Sequence, residues 1–128
     1  MLIVLDTNII VSALKTPNGK AYSLLEHVLM GKYKICISSD IMAEYRDVLN
    51  RDRLNLDKRM VEYLLSWFII NGLWIEPLPS NNDIVPMKDE SDRKFFDVAK
   101  CLCARLVTGN FKHYPVHELI TSLDELIL

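Results

Sequence analysis

The sequence has 128 residues, of which 50% are hydrophobic, and a formal net charge of −2. This length and composition predict one compact domain spanning residues 1–128 and argue against a disordered chain. The small negative charge excludes a nucleic-acid binder that acts through bulk positive charge, although it leaves room for a local basic patch. Cys36, Cys101 and Cys103 form no C-x-x-C pair, so we predict a packing role for all three.

The first half of the chain alternates between strand and helix patterns. Leu2–Leu5 is a continuous apolar run, which is typical of a strand buried on both faces. Gly31 ends a helical pattern, and Ser38, Ser39 and Asp40 are N-cap candidates for the next one. The predicted elements are a strand at 2–5, helices at 8–14 and 21–29, a strand at 33–37 and a helix at 41–49.

The second half continues the alternation. Its predicted elements are a helix at 57–70, a strand at 73–75, a polar loop at 77–91, a helix at 92–104, strands at 106–108 and 119–121, and a short final helix capped by Ser122. Alternating strands and helices predict an α/β fold with a central parallel sheet of four or five strands flanked by helices. In such sheets, ligands bind at the carboxyl ends of the strands.

Three acidic residues follow these strand ends or lie one turn beyond them. Asp6 comes directly after five apolar residues, where a carboxylate is costly unless other groups satisfy it. Asp92 begins a helix and points toward the sheet, whereas Asp97 on the same helix is predicted to face solvent. Glu44 flanks an apolar helix face. Taken singly, the two aspartates could be helix caps and Glu44 a border residue with its head in water.

Gathered carboxylates repel one another, so a site that holds several of them needs a cation. Ligation by oxygen alone suits Mg²⁺ or Mn²⁺ better than zinc. The chemistry that fits is hydrolysis of a phosphodiester, with one metal or with two metals about 4 Å apart. The sequence offers no convincing Ser-His-Asp arrangement and no glycine fingerprint for nucleotides.

Three segments resemble the motifs of the PIN-domain family, in the family's order and over almost the whole chain. They are LDTNIIVSAL, SSDIMAEYRDVL and SDRKFFDVAKCLCARLVTGN. The likeness is to the small prokaryotic members described as toxins of toxin–antitoxin modules. The resemblance implies a PIN-like fold and a metal-dependent endoribonuclease that uses Mg²⁺ or Mn²⁺.

The resemblance also implies roles for individual residues. Asp6, Glu44 and Asp92 would be the catalytic, metal-binding acids. Asn8 would orient Asp6 or the metal's waters, and Asn110 stands where many members carry a fourth acid, which puts a second metal site in doubt. Three further candidates are Thr108, which could hydrogen-bond a carboxylate, and Lys112 and His113, which could meet a substrate phosphate or lie in an exposed turn.

The predicted partners are an RNA substrate, an antitoxin protein and a second copy of the chain in a homodimer or higher homo-oligomer. Aromatic residues of the 57–70 helix and Trp74 could serve such an interface, although most of them are predicted to be core. No apolar stretch is long enough to span a membrane, so we expect a cytoplasmic protein.

The alternative function is a weakly active or inactive PIN-like domain that binds RNA or protein, which the amide at position 110 favours. A phospho-receiver domain fits poorly. That fold needs its acceptor Asp after the third strand, and here the third strand ends at Glu76-Pro77.

Overall fold

A central sheet of five parallel strands organises the molecule. The computed structural model describes residues 1–126. The strands are β1 (Leu2–Leu5), β2 (Lys34–Ile37), β3 (Leu73–Trp74), β4 (Arg105–Val107) and β5 (Ile120–Thr121). Their order is β3-β2-β1-β4-β5, with every neighbouring pair parallel. The predicted parallel α/β sheet is therefore confirmed, with five strands.

The strand with the most continuous apolar run lies at the centre of the sheet. Ile3, Val4 and Leu5 of β1 are completely or almost completely buried. Such a run suits the middle position because a central parallel strand is covered on both faces. Within the described residues, the helices around the sheet are α1 (Thr7–Lys15), α2 (Lys20–Leu29), α3 (Ser39–Leu49), α4 (Lys58–Asn71), α5 (Arg93–Leu102) and α6 (Leu123–Leu126). Short 3-10 turns occupy Asp52–Leu54, Glu90–Asp92 and Phe111–His113.

Side-chain caps define where several helices begin. Ser38 accepts a hydrogen bond from the backbone N–H of Ile41 at 3.2 Å, as predicted for the start of α3. Ser122 and Glu125 each accept from the other's backbone N–H, which makes a capping box for α6. These local signals explain why the predicted boundaries differ from the observed ones by only a few residues.

Two of the predicted packing roles for cysteine are wrong. Cys36 is buried in β2, and burial raises the pKa of its thiol to about 11. Cys101 and Cys103 are both exposed. α5 ends at Leu102, and Cys103 follows it in the left-handed conformation with φ of 52°. The chain turns here to enter β4, so the helical pattern that was extended through residue 104 stops two residues earlier.

The prediction that Asp97 faces solvent is also wrong. Its carboxylate accepts hydrogen bonds from the backbone N–H of Ser80 at 3.1 Å and from the Ser80 hydroxyl at 2.5 Å. The loop between β3 and α5 therefore packs against α5 instead of leaving that side open. The pattern of α5 alone could not reveal this contact because the partner lies in a polar segment without periodicity.

Arg93 anchors the same loop. The side chain is buried, and all five of its N–H groups donate hydrogen bonds. Two go to the Glu90 carboxylate at 2.6 and 2.8 Å, and the others go to the Ser80 hydroxyl, the Val85 carbonyl and the Asn82 side chain. We call these five residues the Arg93 network. It ties the loop to the start of α5, directly beside Asp92.

α4 buries one face and exposes the other. Leu64 and Phe68 are core residues, as predicted for most of the large apolar side chains of this segment. Tyr63 is 62% exposed, and Trp74 just beyond the helix is 44% exposed. A role for these two aromatic residues at an interface stays a prediction. In residues 1–126, no helix combines the length and apolar character needed to cross a bilayer.

Candidate active site

Asp6 lies at the carboxyl end of the central strand and is only 5% exposed. Its Oδ2 atom accepts hydrogen bonds from the Thr108 hydroxyl at 2.9 Å and from the Tyr114 hydroxyl at 3.1 Å. The bond from the backbone N–H of Asn8 to Oδ1 is long, at 3.4 Å. Capping of α1 therefore contributes little to holding this carboxylate. Two neutral hydroxyl groups hold it instead, and neither neutralises its charge.

Glu44 reaches the same edge of the sheet from α3. Its Oε2 atom accepts a short hydrogen bond from the hydroxyl of Thr7, the residue next to Asp6. Its Oε1 atom accepts from the Lys94 ammonium at 2.6 Å, and Lys94 also donates to the Ser91 carbonyl at 2.7 Å. Glu44 is therefore not a border residue with its head in water, because both of its oxygens are bonded to protein groups.

Asp92 is the least satisfied of the three acids. It is 8% exposed, and its side chain makes no capping bond to α5. Among residues 1–126, no donor forms a hydrogen bond to its buried Oδ2 atom. The His113 Nδ1 atom lies 3.1 Å from this oxygen without hydrogen-bonding geometry. Burial first, and then the negative charges of Asp6 and Asp89, raise the pKa of Asp92 to about 6.

The charges of these carboxylates also act on nearby tyrosines. Burial and the charge of Asp6 raise the pKa of Tyr114, so its hydroxyl stays a proton donor to Asp6. Tyr45 is fully buried in α3, and burial followed by the charges of Asp6 and Glu44 raises its pKa well above the ordinary value. Its hydroxyl donates to the Leu5 carbonyl at 2.5 Å. The end of β1 is thus a region of concentrated negative charge.

The three acids fit a hard divalent cation to different degrees. Within residues 1–126, Asp6 accepts hydrogen bonds from neutral groups only, and the orphaned Asp92 Oδ2 is an oxygen that a metal would satisfy. Glu44 fits only after it exchanges the Lys94 ammonium for a metal. Accordingly, no group of three or more His, Cys, Asp or Glu side chains within 1–126 is arranged to hold a metal as it stands.

The supporting candidates divide into those near the acids and those apart from them. Thr108 donates to Asp6, the contact proposed for it from sequence. Asn110 is linked to the acids through intermediate residues. Its side-chain nitrogen is 3.0 Å from His113 Nε2, and its backbone N–H donates to the Thr108 hydroxyl. The side chain of Asn8 is exposed, and only its backbone N–H approaches Asp6. Lys112 is exposed in the 3-10 turn that holds His113.

Sequence reasoning missed three residues that contact the acids. Thr7 and Tyr114 donate to Glu44 and Asp6, and Lys94 forms the ion pair with Glu44. Thr7 could have been found, because it belongs to the Asp-Thr-Asn motif. No signal identified Tyr114 or Lys94, since 108 residues separate Tyr114 from Asp6 and 50 residues separate Lys94 from Glu44.

Comparison with known proteins identifies the family of this domain. The model of the PIN domain family matches residues 2–112, which include all three acids. The chain belongs to the PIN-domain family. PIN domains are generally nucleases and are typically dependent on divalent metals. No curated protein was found to match the chain.

A solved structure resembles this PIN domain over nearly its whole length. It is the crystal structure of VapBC2 from Rickettsia felis bound to a DNA fragment from their promoter. The alignment covers 90% of this chain and 94% of that chain, with a TM-score of 0.58 and 24% sequence identity. At this identity the likeness establishes a shared fold, and it agrees with the five-stranded parallel sheet.

Proposed function

We propose that residues 1–128 form a single nuclease domain that hydrolyses RNA phosphodiester bonds with Mg²⁺ or Mn²⁺. One observation carries the proposal, namely the buried Oδ2 atom of Asp92, which lacks a donor within 1–126 while the negative charges of Asp6 and Glu44 act on the same carboxyl group. Membership of a family whose members are generally nucleases supports the same conclusion. The last two residues of the domain lie outside the described part of the chain.

In the proposed mechanism, Asp6, Glu44 and Asp92 would hold the metal, and a bound metal would lower the pKa of an attacking water and stabilise charge on the phosphate. The hydroxyls of Thr108 and Tyr114 orient Asp6 toward the site. Lys112 and His113 lie in one short turn beside Asp92, where they can meet a substrate phosphate.

The charges at the site favour one tightly held metal. Asp6, Glu44 and Asp92 carry three negative charges when ionised, so one divalent cation leaves the site with about one negative charge. A second cation would leave an excess of positive charge until the substrate phosphate arrives. Asn110 supplies no carboxylate to offset it, so the proposal is one metal in the protein without substrate.

We further propose that the nuclease is the toxin of a toxin–antitoxin pair and works in the cytoplasm, as a homodimer or higher homo-oligomer. The similar fold comes from a VapBC2 complex on promoter DNA. An apolar groove of about 690 Å³ between α1, α2 and α4 supports a protein partner. Its lining includes the exposed Met60 and Tyr63. An amphipathic antitoxin helix would place its apolar face there. Copurification with the co-expressed antitoxin, lost in Tyr63→Asp, tests this part.

The second candidate function is an RNA- or protein-binding PIN domain that does not cleave. The observation in its favour is Asn110, because an amide stands where many members of the family carry an acid. An RNA cleavage assay with and without Mn²⁺ separates the two functions.

The decisive variant is Asp6→Asn, with Asp47→Asn as the matched control on the exposed side of α3. We expect the wild type and Asp47→Asn to cleave only with the metal, and Asp6→Asn to lose at least about a hundred-fold in rate because it removes a direct ligand. RNA binding without cleavage by the wild type, at any Mn²⁺ or Mg²⁺ concentration, would favour the binding function instead.

A further inference from the structure

Lys94 is a basic side chain inside the acidic region described above. Its ammonium lies 2.6 Å from Glu44 Oε1 and 2.7 Å from the Ser91 carbonyl oxygen. The two side chains of the ion pair are 23% and 20% exposed, so water reaches them only partly. The other two acids have no ammonium partner within 1–126. Asp6 is bonded to hydroxyls, and Asp92 Oδ2 has no hydrogen-bond donor there.

The position of Lys94 conflicts with metal binding by Glu44. Thr7 already donates to one carboxylate oxygen of Glu44, and the ammonium bonds to the other. A cation that binds directly to Glu44 must therefore displace at least one of these donors. Removal of the ammonium relieves repulsion between two positive charges, whereas displacement of the hydroxyl does not. Lysine suits such an exchange because its ammonium is strongly hydrated and its four-carbon stem is flexible.

We propose that Lys94 is a positioning residue that exchanges with the metal. It holds Glu44 when the site lacks a cation, and it leaves Glu44 when the metal binds. The released ammonium then contacts a phosphate of the RNA next to the scissile bond. This inference rests on the proposed function, since it assumes that Glu44 binds the metal and that RNA is the substrate.

The exchange predicts an effect on metal affinity opposite to that of a residue that merely supports the site. Calorimetric titration of metal-stripped protein with Mn²⁺ would compare the wild type with Lys94→Gln, Lys94→Arg and Lys100→Gln. Lys100 is an exposed residue on the same helix and controls for the loss of one positive charge. We expect Lys94→Gln to bind Mn²⁺ about tenfold more tightly. Lys94→Arg and Lys100→Gln should stay within about twofold of the wild type.

Two further measurements test the role of Lys94 in the protein without metal and in the protein saturated with metal. Without metal, Lys94→Gln should melt at a lower temperature than Lys100→Gln, because Glu44 then faces Asp6 and Asp92 without a counter-ion. With saturating Mn²⁺, it should raise KM for RNA and reduce the slope of log affinity against log salt by about one, with kcat changed less than KM. Lys94→Arg should restore both values.

The outcomes separate the exchange from the proposed function. Mn²⁺ binding that is weaker in Lys94→Gln than in the wild type, or unchanged, would overturn the exchange while leaving a metal-dependent nuclease intact. A wild type that binds no Mn²⁺ and cleaves no RNA would overturn the proposed function and the exchange with it.

Discussion

Two neighbouring residues, Asp92 and Arg93, begin the same helix but belong to opposite kinds of buried polar region. Arg93 uses all five of its N–H groups within the Arg93 network. Asp92 has a buried oxygen with no hydrogen-bond donor within 1–126, and its pKa is raised to about 6 by burial and by Asp6. Every N–H group of the Arg93 side chain has an acceptor, whereas the Asp92 oxygen lacks a donor in the part of the chain that the structure describes.

This difference between Arg93 and Asp92 distinguishes a buried charge that stabilises the fold from a buried charge that is typical of a binding site. A buried charge that is completely hydrogen-bonded holds the surrounding backbone in one arrangement, and its loss is costly. A cluster of like charges lowers the stability of the folded protein, and such clusters are typical of sites that bind a cation. The Arg93 network holds the loop before α5 in place, and this positions Asp92 among the other acids.

The largest expected effect on stability comes from disrupting the Arg93 network. Arg93→Met removes the five hydrogen bonds that hold the 77–91 loop against α5, and we expect the melting temperature to fall by about 10 °C. Arg93→Lys should recover little, because an ammonium cannot reproduce the planar fork. Arg53→Met at an exposed position is the control for thermal unfolding. A loss as small as that of Arg53→Met would show that the network does not stabilise the fold.

Neutralising Asp92 should raise the melting temperature instead of lowering it. The pKa of Asp92 is about 6 in the folded protein and about 4 in an unfolded chain. As pH rises from 4 to 6, the unfolded chain ionises first, so the wild type loses stability relative to Asp92→Asn, and above pH 6 the full penalty is present. We expect Asp92→Asn without metal to melt about 5 °C higher at pH 7.5 and at the wild-type temperature at pH 4.

Addition of Mn²⁺ at pH 7.5 sharpens this test. The metal should raise the melting temperature of the wild type and much less that of Asp92→Asn, because a ligand that binds only the folded state stabilises it. A stability difference that is the same at pH 4 and pH 7.5 would show that ionisation of Asp92 is not its cause.

A smaller effect is expected from adding a fourth acid. Asn110→Asp places a carboxylate beside His113, which lies next to Asp92. We expect Mn²⁺ to bind about tenfold more tightly in calorimetric titration, since one more negative charge faces the site. Asn18→Asp, in the turn beyond the far end of α1, should leave the affinity unchanged. Two tight sites in the wild type, or no gain in Asn110→Asp, would place residue 110 outside the metal site.

The smallest effect is predicted outside both regions, at the end of α5. Cys103 has φ of 52° and is exposed, so glycine fits this position without the steric cost of a side chain. Cys103→Gly should raise the free energy of unfolding by about 0.5–1 kcal/mol. Cys101→Gly, inside the same helix, should lower it by a similar amount. Denaturant unfolding of both variants sets the scale of an ordinary backbone effect, and the same sign in both would contradict this explanation.

The sequence by itself determined that the fold is a parallel α/β sheet, and it marked the three acids that we propose for the site. The apolar run of β1 followed at once by Asp6 marks a buried strand end, and parallel strands bring their carboxyl ends to one edge. Ser38 as the cap of α3 likewise placed Glu44 within one helix near that edge. These features depend on neighbours close in the chain, and local patterns record them.

Only the tertiary structure decided which groups satisfy each charge. Tyr114 donates to Asp6 across 108 residues, and Lys94 reaches Glu44 across 50. Arg93 is buried because a loop without periodicity folds over it. Such contacts follow from the packing of elements distant in the chain, and no pattern in a single segment encodes them. Local sequence therefore marked the acids, whereas packing decided that Glu44 pairs with the Lys94 ammonium and that Asp92 Oδ2 has no hydrogen-bond donor within 1–126.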